Sequence, residues 1–248
     1  MDYKKFTEVN FNDKWPIKML DHMAMQQVSQ WKFWEKERLA TMYAAIRPDD
    51  TILDIGTCHG EMSVLMASWL GDKGKIILVE PAPHFWPEIK AHFDENGLTP
   101  YECFQVLVSN ESNDSVDASQ AIWPDVAFTE EINPELGFAH LNDHAPNQPP
   151  PVPVIKIDDL GLPKVDIITM DIEGSEYEAI RGARETIRKD KPILFISVHP
   201  EMMWREHHHS PDDLHVMLAK WGYDGTYLHF DHEEQWLYKF SPHKAVTE

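Results

Sequence analysis

Short β-rich runs that alternate with helical patterns limit most tightly how this chain can fold. The runs fall at 51–55, 75–80, 102–108, 165–171 and 193–198, with helical periodicity over about 60–70, 84–96 and 175–188. Strands separated by helices build right-handed βαβ units in a mostly parallel sheet, because a parallel partner needs a long crossover to return. Ile76-Ile77-Leu78-Val79 and Ile193-Leu194-Phe195-Ile196 show no polar alternation, as expected of central strands covered on both faces. After a helix near 212–221, runs at 226–230 and 235–240 predict an antiparallel hairpin at the sheet edge. The expected fold class is α/β, a doubly wound and mostly parallel sheet.

Two segments stand outside that alternation. Apolar residues from Leu20 to Ile46 recur mostly three, four or seven apart, which predicts an N-terminal helical extension over 1–48, ended by Pro48. Residues 110–151 hold eight carboxylates, no lysine or arginine, and the run Pro149-Pro150-Pro151. Long insertions in compact domains are usually functional lids or linkers. Rooted after the third strand, this one is read as an acceptor lid, with Trp123, Phe128 and Phe138 as its apolar contacts. The expected organisation is therefore one domain, 1–248, whose core is 50–109 and 152–240.

Charge and composition exclude several functions. With 42 acidic against 22 basic residues, net −20, the chain lacks the cationic surface that gripping nucleic acid or anionic lipid requires. Cys58 and Cys103 cannot make a disulfide framework. The start has no apolar signal region and no run reaches the roughly 18 apolar residues of a membrane span. A cytoplasmic globular protein is expected. Oligomeric state is not written in the sequence.

Chemistry concentrates at Asp54-Ile-Gly-Thr-Cys-His-Gly-Glu61, a strand, a glycine-bearing turn and a helix start. Gly56 permits a tight turn with close backbone approach, and Gly60 lets the next helix pack near the strand. About twenty residues on, a strand ends in Glu80, where a carboxylate accepts both hydroxyls of a ribose. Together they point to a nucleoside-type cofactor. A dinucleotide fingerprint wants a glycine where Cys58 stands, and no phosphate loop of the G-x-x-x-x-G-K-[ST] kind exists. Asp54 suits a charge partner for a cationic methionine moiety, so S-adenosylmethionine is expected over NAD.

These residues, with Val79-Glu80-Pro81, Asp166-Ile-Ile-Thr-Met-Asp-Ile-Glu-Gly-Ser-Glu176, Gly182-Ala183 and 192–200, resemble the FkbM-type S-adenosylmethionine-dependent methyltransferases. Val154-Ile-Lys-Ile-Asp-Asp-Leu160 is similar to the segment preceding the fourth strand there. Where that family often has a glutamate two residues before the final histidine, this chain has Ser197. The resemblance covers about 50–200. It implies a seven-stranded Rossmann-like methyltransferase sheet and methyl transfer, mostly to hydroxyl oxygens of sugars, glycans or natural products. It also implies a small-molecule or carbohydrate acceptor. Implied cofactor contacts are Asp54, Gly56, Thr57, Cys58, His59, Gly60, Glu61, Glu80, Pro81, Ser109 and Asp171, with Asp171, His199 and Glu173 as catalytic candidates. Glu176 is read as a helix-dipole acid as much as a site acid.

A catalytically degenerate nucleoside-binding domain is the competing reading. His207-His208-His209 invites a metal, but three consecutive residues do not face one ion, and a solvated loop is expected. A divalent site on Asp171, Glu173 or Glu176 with His199, as in divalent-dependent O-methyltransferases, is the alternative set aside. No metal ligands are assigned.

Overall fold

A computed structural model describes residues 5–26, 35–113, 152–230 and 235–243. The chain enters through a β-hairpin where the sequence predicts only a helical extension. β1 (Phe6–Phe11) pairs antiparallel with β2 (Trp15–Leu20), Phe6 opposite Leu20 and Phe11 opposite Trp15. Period-two burial of Trp15, Ile17 and Met19 favours a strand here. Asn12 and Asp13 make the turn in left-handed conformations that their short polar side chains tolerate. Among the described residues, helix follows as α1 (Asp21–Gln26) and α2 (Lys36–Ala45). Trp31 and Trp34, within the predicted helical extension, lie outside the described residues.

The main sheet has seven strands. β3 (Thr51–Ile55), β4 (Lys75–Val79) and β5 (Glu102–Phe104) run outward in parallel from the centre. The strand predicted over 102–108 breaks after Phe104. β6 (Leu107–Val108) leaves the sheet to pair with β7 (Val154–Ile155), because Val106, Val108 and Ile155 find apolar cover under the helices on one face. The chain then returns to the other side of β3 as β8 (Ile167–Met170) and β9 (Ile193–Val198), both parallel to it. β10 (Tyr223–Phe230) and β11 (Trp236–Pro242) close the edge as the expected antiparallel hairpin, and β11 sits between β9 and β10.

Side chains alternate between two cores, so the sheet is covered on both faces. Ile52, Ile76 and Leu78 pack with Val64 of α3 (Glu61–Trp69), Ile89 of α4 (Trp86–Glu95) and the hairpin residues Phe11, Ile17 and Met19. Leu53, Ile77 and Val79 pack on the opposite face with Ile180 of α5 (Glu176–Gly182), Ile187 of α6 (Arg184–Asp190) and Leu214 and Leu218 of α8 (Pro211–Lys220). Each such side chain, fully buried, contributes about 1.5–3 kcal/mol of transfer free energy. The helix predicted over 175–188 is two, α5 and α6, broken at Ala183. Gly182 there meets the Ser109 carbonyl, 2.0 Å from where a Cβ would sit. Between β9 and α8 runs α7 (Pro200–His207). No helix among the described residues is long and apolar enough to cross a membrane. The lid reading of 110–151, with Trp123, Phe128 and Phe138, falls almost wholly outside the described residues. Its two roots lie side by side, the Asn113 amide donating to the Val154 carbonyl at 2.8 Å.

Candidate functional site

Strand order reverses between β3 and β8, and open α/β sheets bind ligands in the crevice outside the carboxyl ends at that point. The 54–61 turn leaves β3 into this crevice. Gly56 has φ +81, and a Cβ on it would stand 1.9 Å from the Asp171 carbonyl oxygen. The turn is thus seated against the end of β8, whose Asp171 amide donates to the Ile55 carbonyl at 3.0 Å. Thr57 is buried, and its hydroxyl has no hydrogen-bond partner among the described residues.

Glu80, at the end of β4, holds the turn from beside it. One carboxylate oxygen accepts from the Cys58 amide at 2.8 Å and the other from the Ala82 amide at 2.8 Å. A carboxylate has about four acceptor positions, so lone pairs remain for a ligand. Burial pushes its pKa up to about 7 against the pull of those two amides. Asp54 is also buried and also pushed up by burial to about 7, against the Ser63 hydroxyl that donates to it and the Arg38 charge. The Cys58 thiol is held well above its ordinary value by burial and then by Glu61, Glu80 and Asp171, which surround the turn with negative potential. Such a potential suits a cationic ligand.

Other residues expected in the cofactor site are placed less directly. His59 turns its ring away, Nδ1 lying 2.5 Å from Glu88 of α4, and gives its carbonyl to His92 Nδ1 at 2.7 Å. His92 Nε2 accepts from the Leu20 amide, so α4 ties the turn to the hairpin. Burial pushes Glu88 up, yet His22 and His59 outweigh it and hold the carboxyl at about 2. Pro81 is half-buried after Glu80. Ser109 is half-buried beyond β6, its amide bonded to the Ile155 carbonyl, in the two-stranded β6–β7 piece rather than on the main sheet.

At the ends of β8 and β9 the structure brings the three expected catalytic residues together. His199 Nε2 lies 3.5 Å from Asp171 Oδ1 and 3.4 Å from Glu173 Oε2. Neither contact is a hydrogen bond, and Nε2 has no hydrogen-bond partner among the described residues. His199 Nδ1 is 2.7 Å from Glu176 Oε1, and Glu176 is fully buried. Glu176 also accepts from the Gly174 amide at 3.0 Å. Burial alone would lower the His199 pKa. Its bond to Glu176 and the charges of Glu176, Asp171 and Glu173 reverse this and raise it to about 10. Glu173 adopts φ +56, a conformation uncommon outside glycine and one that costs energy to hold.

Sequence reasoning missed Arg38. It reaches in from α2, 3% exposed, donating to Glu35 at 3.0 Å and to Ser197 Oγ at 3.0 Å, with Asp171 Oδ2 3.8 Å away. Thr169 Oγ1 accepts from its other nitrogen at 3.3 Å. A lone arginine in a mixed helical segment carries no pattern that marks it. The three consecutive histidines diverge: His207 meets Ser175, His208 ends α7 in a left-handed conformation, and His209 meets Glu178. They form no common site.

Comparison with known proteins agrees with this fold. The sequence profile of the methyltransferase FkbM domain matches residues 54–224. No curated protein matches the chain. Among solved structures, a methyltransferase FkbM from Methylobacillus flagellatus superposes with a TM-score of 0.51 at 16% identity, over 90% of this chain and 56% of that one. The present chain therefore spans little more than half of that protein. The O-methyltransferase TomG of Streptomyces achromogenes, solved with S-adenosylmethionine, gives 0.52 at 13% identity over 92% of each chain. A ribosomal protein L11 methylase from Lactobacillus delbrueckii gives 0.53 at 9% identity over 86% of this chain and 80% of that one. At these identities the superpositions speak for the fold alone, a Rossmann-like methyltransferase sheet, and the profile speaks for the family. Matched over residues 54–224, more than half of its length, the chain belongs to the FkbM methyltransferase family.

Proposed function

We propose that the protein is an O-methyltransferase acting on a hydroxyl of a sugar, a glycan or another small polar metabolite. Its cofactor is S-adenosylmethionine, which when bound supplies an electrophilic methyl group on a sulfonium. The residues fit such a group: an unpartnered Thr57 hydroxyl inside the turn, spare acceptor positions on Glu80, and a ring of carboxylates for a cation. In this reading the 54–61 turn holds the methionine and ribose portions, Glu80 takes the ribose hydroxyls with Pro81 beside it, and Ser109 approaches the adenine edge.

The observation that carries the reading is the cluster of Asp171, Glu173 and His199 beside that turn. A neutral hydroxyl is a poor nucleophile until its proton is taken, and a positioned base is worth about 10²–10⁴ in rate. Asp171 and Glu173 are the carboxylates open enough to meet an acceptor, their side chains 31% and 37% exposed. His199, fixed by buried Glu176, keeps the two carboxylates converged. Arg38 holds the far oxygen of Asp171. Alignment of acceptor oxygen, methyl carbon and sulfur supplies much of the remaining acceleration.

The test is labelled-methyl transfer to a panel of sugars, glycans and hydroxylated metabolites, with amines and thiols as comparison. Transfer to a hydroxyl, reduced at least a hundredfold in Asp171→Asn while S-adenosylhomocysteine affinity stays within a few-fold, is expected. Transfer confined to amines or thiols would refute the acceptor class. Binding with no transfer to any acceptor would identify a degenerate, ligand-holding domain instead.

A further inference from the structure

We infer that Asp171, Glu173 and His199 form a binding site for one divalent cation of the Mg²⁺/Mn²⁺ kind, set where the acceptor hydroxyl would enter. One ligand atom from each of the three lies within 4.8 Å of the other two. Oxygens and nitrogens bound about 2.1 Å from an octahedral ion stand roughly 3 Å apart in neighbouring positions. The 3.4 and 3.5 Å separations of His199 Nε2 from Glu173 and Asp171 need close by only a few tenths of an ångström to reach that spacing.

The direction of His199 is the independent observation. Its ring is 5% exposed, and Nε2 points between the two carboxylates without a hydrogen bond to either. Charge-assisted N–H···O bonds run at about 2.7–2.9 Å, well inside the distances here. The other ring nitrogen is committed: Nδ1 sits 2.7 Å from buried Glu176, an arrangement that aims Nε2 at the cluster, where a bound cation would displace its proton. Carboxylate–histidine–metal relays are built this way, the outer carboxylate fixing tautomer and ring orientation. Asp171 is divided in the same sense, Oδ1 toward His199 and Oδ2 toward Arg38, so it offers one oxygen. Two carboxylates and a neutral imidazole would match a divalent charge, and three protein ligands leave positions for water or an acceptor oxygen.

The consequence for chemistry rests on the methyl-transfer reading given above. A hydroxyl that coordinates the cation loses its proton more readily, and the proton passes by way of the site carboxylates to bulk water. The oxygen electron pair then forms the O–CH₃ bond as the S–CH₃ bond breaks, its electrons returning to sulfur as neutral thioether.

Cation binding is measured without acceptor, by titrating the full chain with Mn²⁺ and following free Mn²⁺ by electron paramagnetic resonance. S-adenosylhomocysteine affinity is measured separately in EDTA. One Mn²⁺ per chain is expected, weakened at least tenfold by His199→Ala and by the milder, half-exposed Glu173→Gln, and roughly 10–100-fold by Glu176→Gln through the relay. Glu185→Gln, on the far exposed face of α6, should leave it unchanged. Folded wild-type protein that binds S-adenosylhomocysteine but no Mn²⁺ would overturn the cation site and leave the cofactor reading standing. Mn²⁺ binding that survives Glu173→Gln and His199→Ala would overturn it equally. Site-specific Mn²⁺ binding without any affinity for S-adenosylhomocysteine would uphold the cation site and sink the cofactor reading instead.

Discussion

Replacing Glu80 by glutamine changes one oxygen to an NH₂ group and little else, so its effects follow from two hydrogen bonds. The native carboxylate accepts from the Cys58 and Ala82 amides, both at 2.8 Å. A carboxamide satisfies only one of them, and its NH₂ must face the other N–H. Stranding one buried donor costs about 1–3 kcal/mol. For a chain of this size each kcal/mol lowers Tm by roughly 2–4 °C, so Tm should fall by about 2–12 °C. Ligand affinity should fall as well, because a charge-assisted ribose hydrogen bond is worth about 1.5–3 kcal/mol, roughly ten- to a hundredfold. The penalty carries a pH signature. Burial raises the Glu80 pKa to about 7, so below that the wild-type group is a neutral carboxyl with a single good acceptor, much like the amide. Calorimetric titration with S-adenosylhomocysteine should therefore show a large wild-type advantage at pH 8 and a small one at pH 5.5. A Tm loss with unchanged affinity at pH 8 would leave Glu80 as a turn clamp and refute the ribose assignment. An affinity loss equal at both pH values would refute the ionisation argument.

The same raised pKa values bear on stability. Between the unfolded values near 4 and the folded values of about 7, native Asp54 and Glu80 bind more protons than the unfolded chain does, so their contribution to unfolding free energy should fall as pH rises through that window. Denaturant titrations of wild type and Asp54→Asn should differ in slope there, and parallel curves would count against it. Glu88 works in the opposite sense: held at about 2, it contributes stability above pH 4.5 that is lost as pH falls toward 2. Glu88→Gln should be less stable at pH 6 and less sensitive to acid below 4.5, as acid-unfolding curves would show. Ser210 caps α8 in a reciprocal box with Asp213, so Ser210→Ala should cost about 0.5–2 kcal/mol without touching ligand affinity. Gly56→Ala should fail to fold or lose more than about 4 kcal/mol, because its Cβ would overlap the Asp171 carbonyl; a Tm within 3 °C of wild type would contradict that packing.

What could be read from the sequence was what local pattern encodes. Ile76–Val79 and Ile193–Ile196 announce buried parallel strands, and they lie in β4 and β9, the neighbours of the two strands that form the crevice. The turn from Asp54 to Glu61 and Glu80 declare themselves by spacing along a βαβ unit. Pairings across space leave no such mark. Glu176 meets His199 from another element, and Arg38 reaches β8 and β9 from more than a hundred residues away. The hairpin was written in the alternation of Trp15, Ile17 and Met19, but the helical spacing that begins at Leu20 overshadowed it. His59 stands in the motif, but that its ring goes to the acid of α4 is a pairing across space that the motif does not show.

The placement of β11 has a consequence for how the protein is made. β9 carries His199 at its end, and among the described residues its outer edge pairs with β11, which the ribosome delivers about 40 residues later. At roughly 5–20 residues per second, that leaves an interval of about 2–8 s in which the row of backbone groups from Leu194 to Val198 is an open strand edge. An open edge of apolar residues is a template for pairing with another chain. Expression of chains truncated before Trp236 should thus yield aggregates even though every residue named in the site has been synthesised, and chaperone supply should matter most during that interval of translation.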